Sequence, residues 1–175
     1  MFILINGSFG IGKTTVASLL NRELPGSTIY DPERVGYVLR RLPPWMLGLR
    51  RQPDDYQDLR LWRALVARGA VAAHRRGVPV IVPMAFTNRD YFEGFASALG
   101  AAAPVRRLCL VAPLEVIRAR LSERAARESG VVSEWQLRRS AECVEAHRDP
   151  VFGMPIAAVG TPAEIVVRIR QAAGV

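Results

Sequence analysis

The run Gly7-Ser8-Phe9-Gly10-Ile11-Gly12-Lys13-Thr14 constrains this chain more than any other stretch. It matches G-x-x-x-x-G-K-[ST] without a gap, and it stands between the apolar run Phe2-Ile3-Leu4-Ile5 and a helix-favouring segment. Glycines let the backbone take positive φ and turn successive N–H groups inward, where they cradle phosphate oxygens at the positive end of a helix. Lys13 is placed to reach the β- and γ-phosphates, and Thr14 to offer its hydroxyl to Mg²⁺. With 14 Gly, one Lys and 13 Ser or Thr among 175 residues, chance supplies roughly 5 × 10⁻⁴ such matches. The expected ligand is therefore a nucleoside triphosphate with Mg²⁺, held by Gly7, Ser8, Phe9, Gly10, Ile11, Gly12, Lys13, Thr14 and Thr15.

The net charge of +8 suggests a polyanionic partner. Residue types weaken that suggestion, because 23 of the 24 basic residues are arginines spread from Arg22 to Arg170, and Lys13 is the one lysine. A bias across the whole chain is no binding patch, and no aromatic-basic interleaving marks a nucleic-acid surface. Retaining lysine at 13 suits a slender ammonium inside a phosphate cradle. Half of the residues are hydrophobic, which argues against disorder, and the length fits one domain over 1–175. No run approaches the ~18 apolar residues of a spanning helix, and Met1 to Ile5 carries no basic region of a signal peptide. A cytoplasmic protein without stable membrane insertion is expected, and self-association stays open. Cys109 and Cys143 lack metal-ligand or CxxC spacing and read as buried reduced thiols.

Periodicity predicts strands over 2–5, 27–30, 78–82, 105–111 and 156–159. Helices are predicted over 13–23, 33–41, 56–76, 89–99, 113–127, 133–147 and 162–172. Ser133 and Thr161 read as helix N-caps, with Pro162 in the first turn of the last helix. Pro83 is read as closing the third strand. Strict alternation of strand and helix means an α/β fold, a five-stranded parallel sheet with helices on both faces.

Asp31 falls just after the second strand, at the carboxyl end that faces the ligand crevice in open α/β sheets. Its carboxylate suits Mg²⁺ holding, or taking the proton of an attacking hydroxyl; capping the next helix is the structural alternative. Arg120, Arg124 and Arg127 share one helical face, with Arg118 beside them, and a mobile flap bearing them would clamp phosphate. A solvated face paired with Glu123 and Glu128 is the competing reading. Arg34, Arg40, Trp62 and Arg63, with the loop around Trp45 and Met46, suit the walls of an acceptor pocket, although core packing explains Trp62 as well. The third strand ends Val82-Pro83-Met84 without an acid, which disfavours a motor-type ATPase and leaves Asp31 as the acidic partner.

Ile5-Asn6-Gly7 through Thr14, Tyr30-Asp31-Pro32-Glu33, Leu61-Trp62-Arg63-Ala64 and Ile81-Val82-Pro83-Met84 together resemble the tunicamycin-resistance proteins of bacteria. Those are similar in turn to nucleoside-monophosphate kinases and chloramphenicol phosphotransferase. The resemblance implies a P-loop NTPase fold of nucleoside-monophosphate-kinase type with a helical lid at about 113–148. Lys13, Asp31, Arg120 and Arg124 would be catalytic, with Asp31 as base or metal holder beside Thr14. Arg120, Arg124, Arg127 and Thr161 would meet the nucleotide, and Asp31, Arg34, Arg40, Trp62 and Arg63 the acceptor. The resemblance makes the nucleotide ATP, and the implied activity is phosphorylation of a hydroxyl on tunicamycin or a related nucleoside-like antibiotic, with ATP-dependent sequestration as the rival reading.

Overall fold

Alternating side chains on β1 (Phe2–Gly7) are buried on both sides, the demand of a central parallel strand. Phe2 and Leu4 enter one apolar cluster and Ile3 and Ile5 the other. The computed structural model describes residues 1–75 and 77–175. After β1 come α1 (Lys13–Glu23), β2 (Thr28–Ile29), α2 (Glu33–Arg40), α3 (Arg60–His74), β3 (Val80–Met84), α4 (Arg89–Gly100), β4 (Val105–Val111), α5 (Leu114–Arg127), α6 (Glu134–Ala146), β5 (Met154–Ala157) and α7 (Pro162–Ala173). All pairings are parallel, in the order β2-β3-β1-β4-β5. The five-stranded parallel sheet is the one expected from the alternation, and the fold is the P-loop kinase type that the resemblance implies. The chain leaves β1 toward β3 and β2, then crosses back over β1 to β4, so the order reverses where the glycine-rich turn sits.

One face of the sheet packs β1 and β3 against α3 and α4 through Val66, Ala70, Phe92, Phe95 and Leu99. The other packs α1 and α7 through Val16, Leu20, Ile165 and Ile169, with Ile117 and Leu121 of α5 at its margin. Both cysteines are buried free thiols. No described helix is long and apolar enough to cross a membrane.

Several boundaries differ from the sequence reading, each for a local reason. The helix expected over 56–76 is broken: Tyr56–Asp58 forms a 3-10 turn capped by Asp55, Leu59 is extended, and α3 begins at Arg60. Arg76, its expected last residue, lies outside the described residues. Pro83 stands inside β3 rather than closing it. On the side of β3 that faces β2, the carbonyls of Pro79, just before the strand, and Ile81 accept from the N–H groups of Thr28 and Tyr30. Pro83 continues that side past the end of β2, so its missing N–H breaks no ladder bond. β5 starts two residues earlier than expected, after the turn at Gly153. The caps agree with expectation: Ser133 and Thr161 each complete a capping box, with Gln136 and Glu164.

Candidate active site

The turn after β1 takes its shape from two glycines that need positive φ, Gly10 at 77° and Gly12 at 102°. Gly12 is also the N-cap of α1, and no side chain caps the helix. Val16 is the first residue of α1 whose N–H finds a helical carbonyl, that of Gly12. The N–H groups of Lys13, Thr14 and Thr15 take no partner among the described residues, which leaves an open anion site at the positive helix end. A Cβ at Gly12 would meet nothing within 4 Å, so the mouth of this cradle is open.

Lys13 is nearly buried, and its ammonium donates to the Ser8 carbonyl at 2.8 Å. Burial pushes its pKa down, while the carboxylate of Glu33, more than that of Asp31, opposes the shift. The cradle opens on a cleft of ≈ 470 Å³ that Glu33, Glu123, Arg127 and Gly160 also line. Arg120 lies in it and donates to the Ile11 carbonyl at 3.0 Å, tying α5 to the turn. Arg124 pairs with Glu128 at 3.0 Å, and Arg127 donates to the Glu123 carbonyl. All three side chains line the cleft, while those of Arg124 and Arg127 also bond within their own helix and its cap.

A second cleft of ≈ 310 Å³ lies toward α2 and α3, with Tyr56, Trp62, Phe86 and Trp135 among its walls and Arg40 at its side. Phe9, Glu33 and Arg124 line both clefts. Glu33 is exposed to this space yet ringed by protein, and partial burial raises its carboxyl pKa against the pull of Lys13 and Arg124, with Asp31 adding to the rise. Phe9 sets its ring edge-on to Trp135 at 5.2 Å and lies 5.4 Å from the Lys13 ammonium. Helix α6 closes the far side: Arg139 bonds Asp55 at 2.8 Å, and the Ser8 hydroxyl donates to the Ser140 carbonyl.

The residues named from sequence divide accordingly. The segment Phe9 to Thr15, with Arg120, Arg124 and Arg127, lines the first cleft, and Arg40 and Trp62 line the second. Gly7 and Ser8 support the cradle from below. Asp31 lines neither cleft; one carboxylate oxygen accepts from the Glu33 N–H at 2.9 Å, the capping alternative. Arg34 lines neither. Arg63 lines neither cleft; it stacks on Tyr91 at 3.9 Å and donates to the carbonyl of Gln57, which lines the second. Thr161 spends its side chain on the α7 cap, and its neighbours Gly160 and Pro162 reach the cleft instead. Sequence reasoning missed Glu33, Tyr56 and Trp135. The signal for Glu33 was its place in the first turn of α2, which faces the cradle; the other two are brought in by loop and lid packing.

A glycine-rich cradle at a helix start, with a second cleft beside it, is the arrangement of a P-loop domain of kinase type. The chain belongs to the AAA domain family, whose model matches residues 2–147. Its fold is similar to that of the Deinococcus radiodurans tunicamycin resistance protein, with TM-score 0.76 and 26% identity over 99% of this chain and 96% of that one. It is also similar to a sugar kinase from Janibacter sp. HTCC2649, with TM-score 0.71 and 22% identity over 99% and 94%. A gluconokinase from Sinorhizobium meliloti 1021 follows, with TM-score 0.69 and 18% identity over 98% and 90%. No curated protein matches the chain significantly.

Proposed function

We propose that this chain is an ATP-dependent phosphotransferase that phosphorylates a hydroxyl of a small nucleoside-like compound, such as tunicamycin or a related antibiotic. The observation that carries the proposal is the sharing of Glu33, Arg124 and Phe9 by the two clefts. A carboxylate, a guanidinium and an aromatic ring thus stand where a donor phosphate and an acceptor hydroxyl would meet. The likeness to the tunicamycin resistance protein and to the two kinases supports the same chemistry.

The site fits ATP and Mg²⁺ on its own terms: three open N–H groups at an uncapped helix start, a lysine beside them and the exposed Thr14 hydroxyl. Thr14 would hold the metal, and Asp31, which has one carboxylate oxygen on the Glu33 N–H, would hold it through water with the other. ATP supplies the phosphoryl group when bound, and Mg²⁺ offsets its charge. The N–H groups of Lys13, Thr14 and Thr15 and the Lys13 ammonium hold phosphate oxygens, for which Lys13 gives up its bond to Ser8. Arg120, Arg124 and Arg127 close from the lid helices within 113–148 and exclude water. Glu33 accepts the proton of the acceptor hydroxyl as that oxygen forms its new bond to phosphorus and the bond to the diphosphate breaks. Burial raises its pKa, which makes it a stronger base than an ordinary carboxylate. This chemistry needs no second metal-holding acid on β3, and it would run wherever ATP is supplied, as in the cytoplasm.

Incubation with [γ-³²P]ATP, Mg²⁺ and a panel of tunicamycin, uridine, D-gluconate and chloramphenicol tests the proposal. Labelled acceptor above the rate of ATP hydrolysis is expected for at least one nucleoside-like compound. ATP binding without labelled acceptor across the panel, together with tight binding of tunicamycin, would favour sequestration and overturn the transferase reading.

A further inference from the structure

Among the described residues, two buried side-chain nitrogens have no hydrogen-bond partner, and one of them is the indole Nε1 of Trp62. Trp62 is 5% exposed and lines the acceptor cleft. Native proteins leave few buried donors unpaired, so this one asks for a partner that the chain does not supply. Phe86 packs edge-on against the indole at 5.9 Å, and Tyr56 lies beside it, so the polar edge of Trp62 is set among flat apolar faces.

Gly36 of α2 is a second, independent observation. A helix interior disfavours glycine, and the φ of Gly36 is not positive, so its backbone does not require one. Nor does crowding: a Cβ there would lie 3.5 Å from Trp62 Nε1 and 3.9 Å from Tyr56 Cβ, both ordinary contacts. What glycine preserves is a methyl-sized gap over the indole edge, buried behind the wall of the same cleft.

We infer that Trp62 Nε1–H and the gap at Gly36 form a specificity pocket for an uncharged carbonyl oxygen at the edge of a flat ring in the acceptor. The inference rests on the reading of this cleft as the acceptor site. A charged oxygen buried here would find no counter-charge among the apolar walls, so the donor suits a neutral oxygen, and the surrounding aromatic faces favour a planar ring. Recognition of this kind discriminates strongly, because an acceptor lacking the carbonyl leaves the indole donor unpaired again.

The test uses uridine, which has ring carbonyls, and 1,4-anhydroribitol, which has the sugar hydroxyls without the base. The ¹H–¹⁵N indole resonances of Trp45, Trp62 and Trp135, assigned through single Trp→Phe variants, are followed during titration in the presence of a non-hydrolysable ATP analogue. The Trp62 resonance is expected to move downfield with uridine and to stay in place with 1,4-anhydroribitol. Gly36→Ala is expected to keep or raise Tm while raising the KM for uridine at least tenfold, with the KM for ATP unmoved. Trp62→Phe is expected to raise the uridine KM similarly. Uridine phosphorylated by wild type and by both variants with equal KM, or a Trp62 resonance unmoved at saturation, would overturn the inference and leave the phosphotransferase reading standing. Uridine that is neither bound nor phosphorylated by wild type would overturn the acceptor reading itself, and this inference with it.

Discussion

At Gly10 the cradle and the lid helix meet. Its φ of 77° lies in the region L side chains avoid, and a Cβ there would stand 2.6 Å from Leu121 Cγ and 3.3 Å from the Ile117 carbonyl. Gly10→Ala is expected to cost about 1–3 kcal/mol of stability and to weaken ATP binding, because strain and the push on α5 act on the same turn. Urea unfolding and calorimetric titration with ATP would register both effects, and an unperturbed variant would contradict this account of the contact. Glu33 makes a pH prediction. The carboxylate must be ionised to take a proton, and burial holds its pKa above the usual 4.5. The acid limb of kcat is thus expected to rise through a value above 4.5, and a limb at or below it would contradict the assignment. The cysteines take no part, since burial pushes the Cys109 thiol up to about 12 and that of Cys143 up as well.

Helices α5 and α6 act on the site through few contacts that differ in kind. Helix α5 is pinned by Arg120 to the Ile11 carbonyl and by Leu121 under Gly10. Helix α6 is pinned by Arg139 to Asp55 at 2.8 Å, across the acceptor cleft, with side chains only 15% and 30% exposed. Because Arg139 also bonds Glu142 at 2.7 Å, losing Arg139 breaks two ion pairs, whereas losing Asp55 breaks one together with its bond from the Gln57 N–H. Arg139→Met is accordingly expected to destabilise more than Asp55→Asn, with a double-mutant coupling of about 1–3 kcal/mol by urea unfolding. Equal effects without coupling would contradict the link. These elements also show what sequence could tell. Glycines, lysine and threonine at fixed spacing made the cradle legible, because every part of it is local, and the caps at Ser133 and Thr161 were legible for the same reason. The Arg139–Asp55 pair joins residues 84 apart, and no local pattern announces it. Asp31 was singled out over Glu33 because position after a strand is visible in sequence. The direction of a side chain in the first turn of α2 is not.

Across the whole molecule, β1 carries both the cradle and the link between the two clefts. Asn6, at its end, bonds the Phe86 backbone in both directions, and His147 at the end of α6 donates through Nε2 to the Phe86 carbonyl at 2.8 Å. Burial holds the His147 pKa below 6.5; the bond to Phe86 opposes this and Lys13 adds to it. The unfolded chain takes up a proton near pH 6.5 that the native chain takes up only at lower pH, so native stability falls on acidification from 6.5 toward that lower value. Wild type is expected to lose more stability than His147→Gln between pH 7.5 and 5.5 by urea unfolding, the contribution of Glu33 being common to both. Equal losses would contradict the neutral, buried imidazole. Strand alternation foretold the parallel sheet, but the order β2-β3-β1-β4-β5 depends on pairings between distant residues and was not in the pattern. Nor was the meeting of two clefts at Glu33, the central claim. It is tested most directly by comparing Glu33→Gln and Asp31→Asn for transfer from [γ-³²P]ATP and for calorimetric ATP affinity. A loss of 100-fold or more in kcat for Glu33→Gln is predicted, with ATP affinity kept and a smaller loss for Asp31→Asn. Full turnover in Glu33→Gln beside an inactive Asp31→Asn would contradict the account.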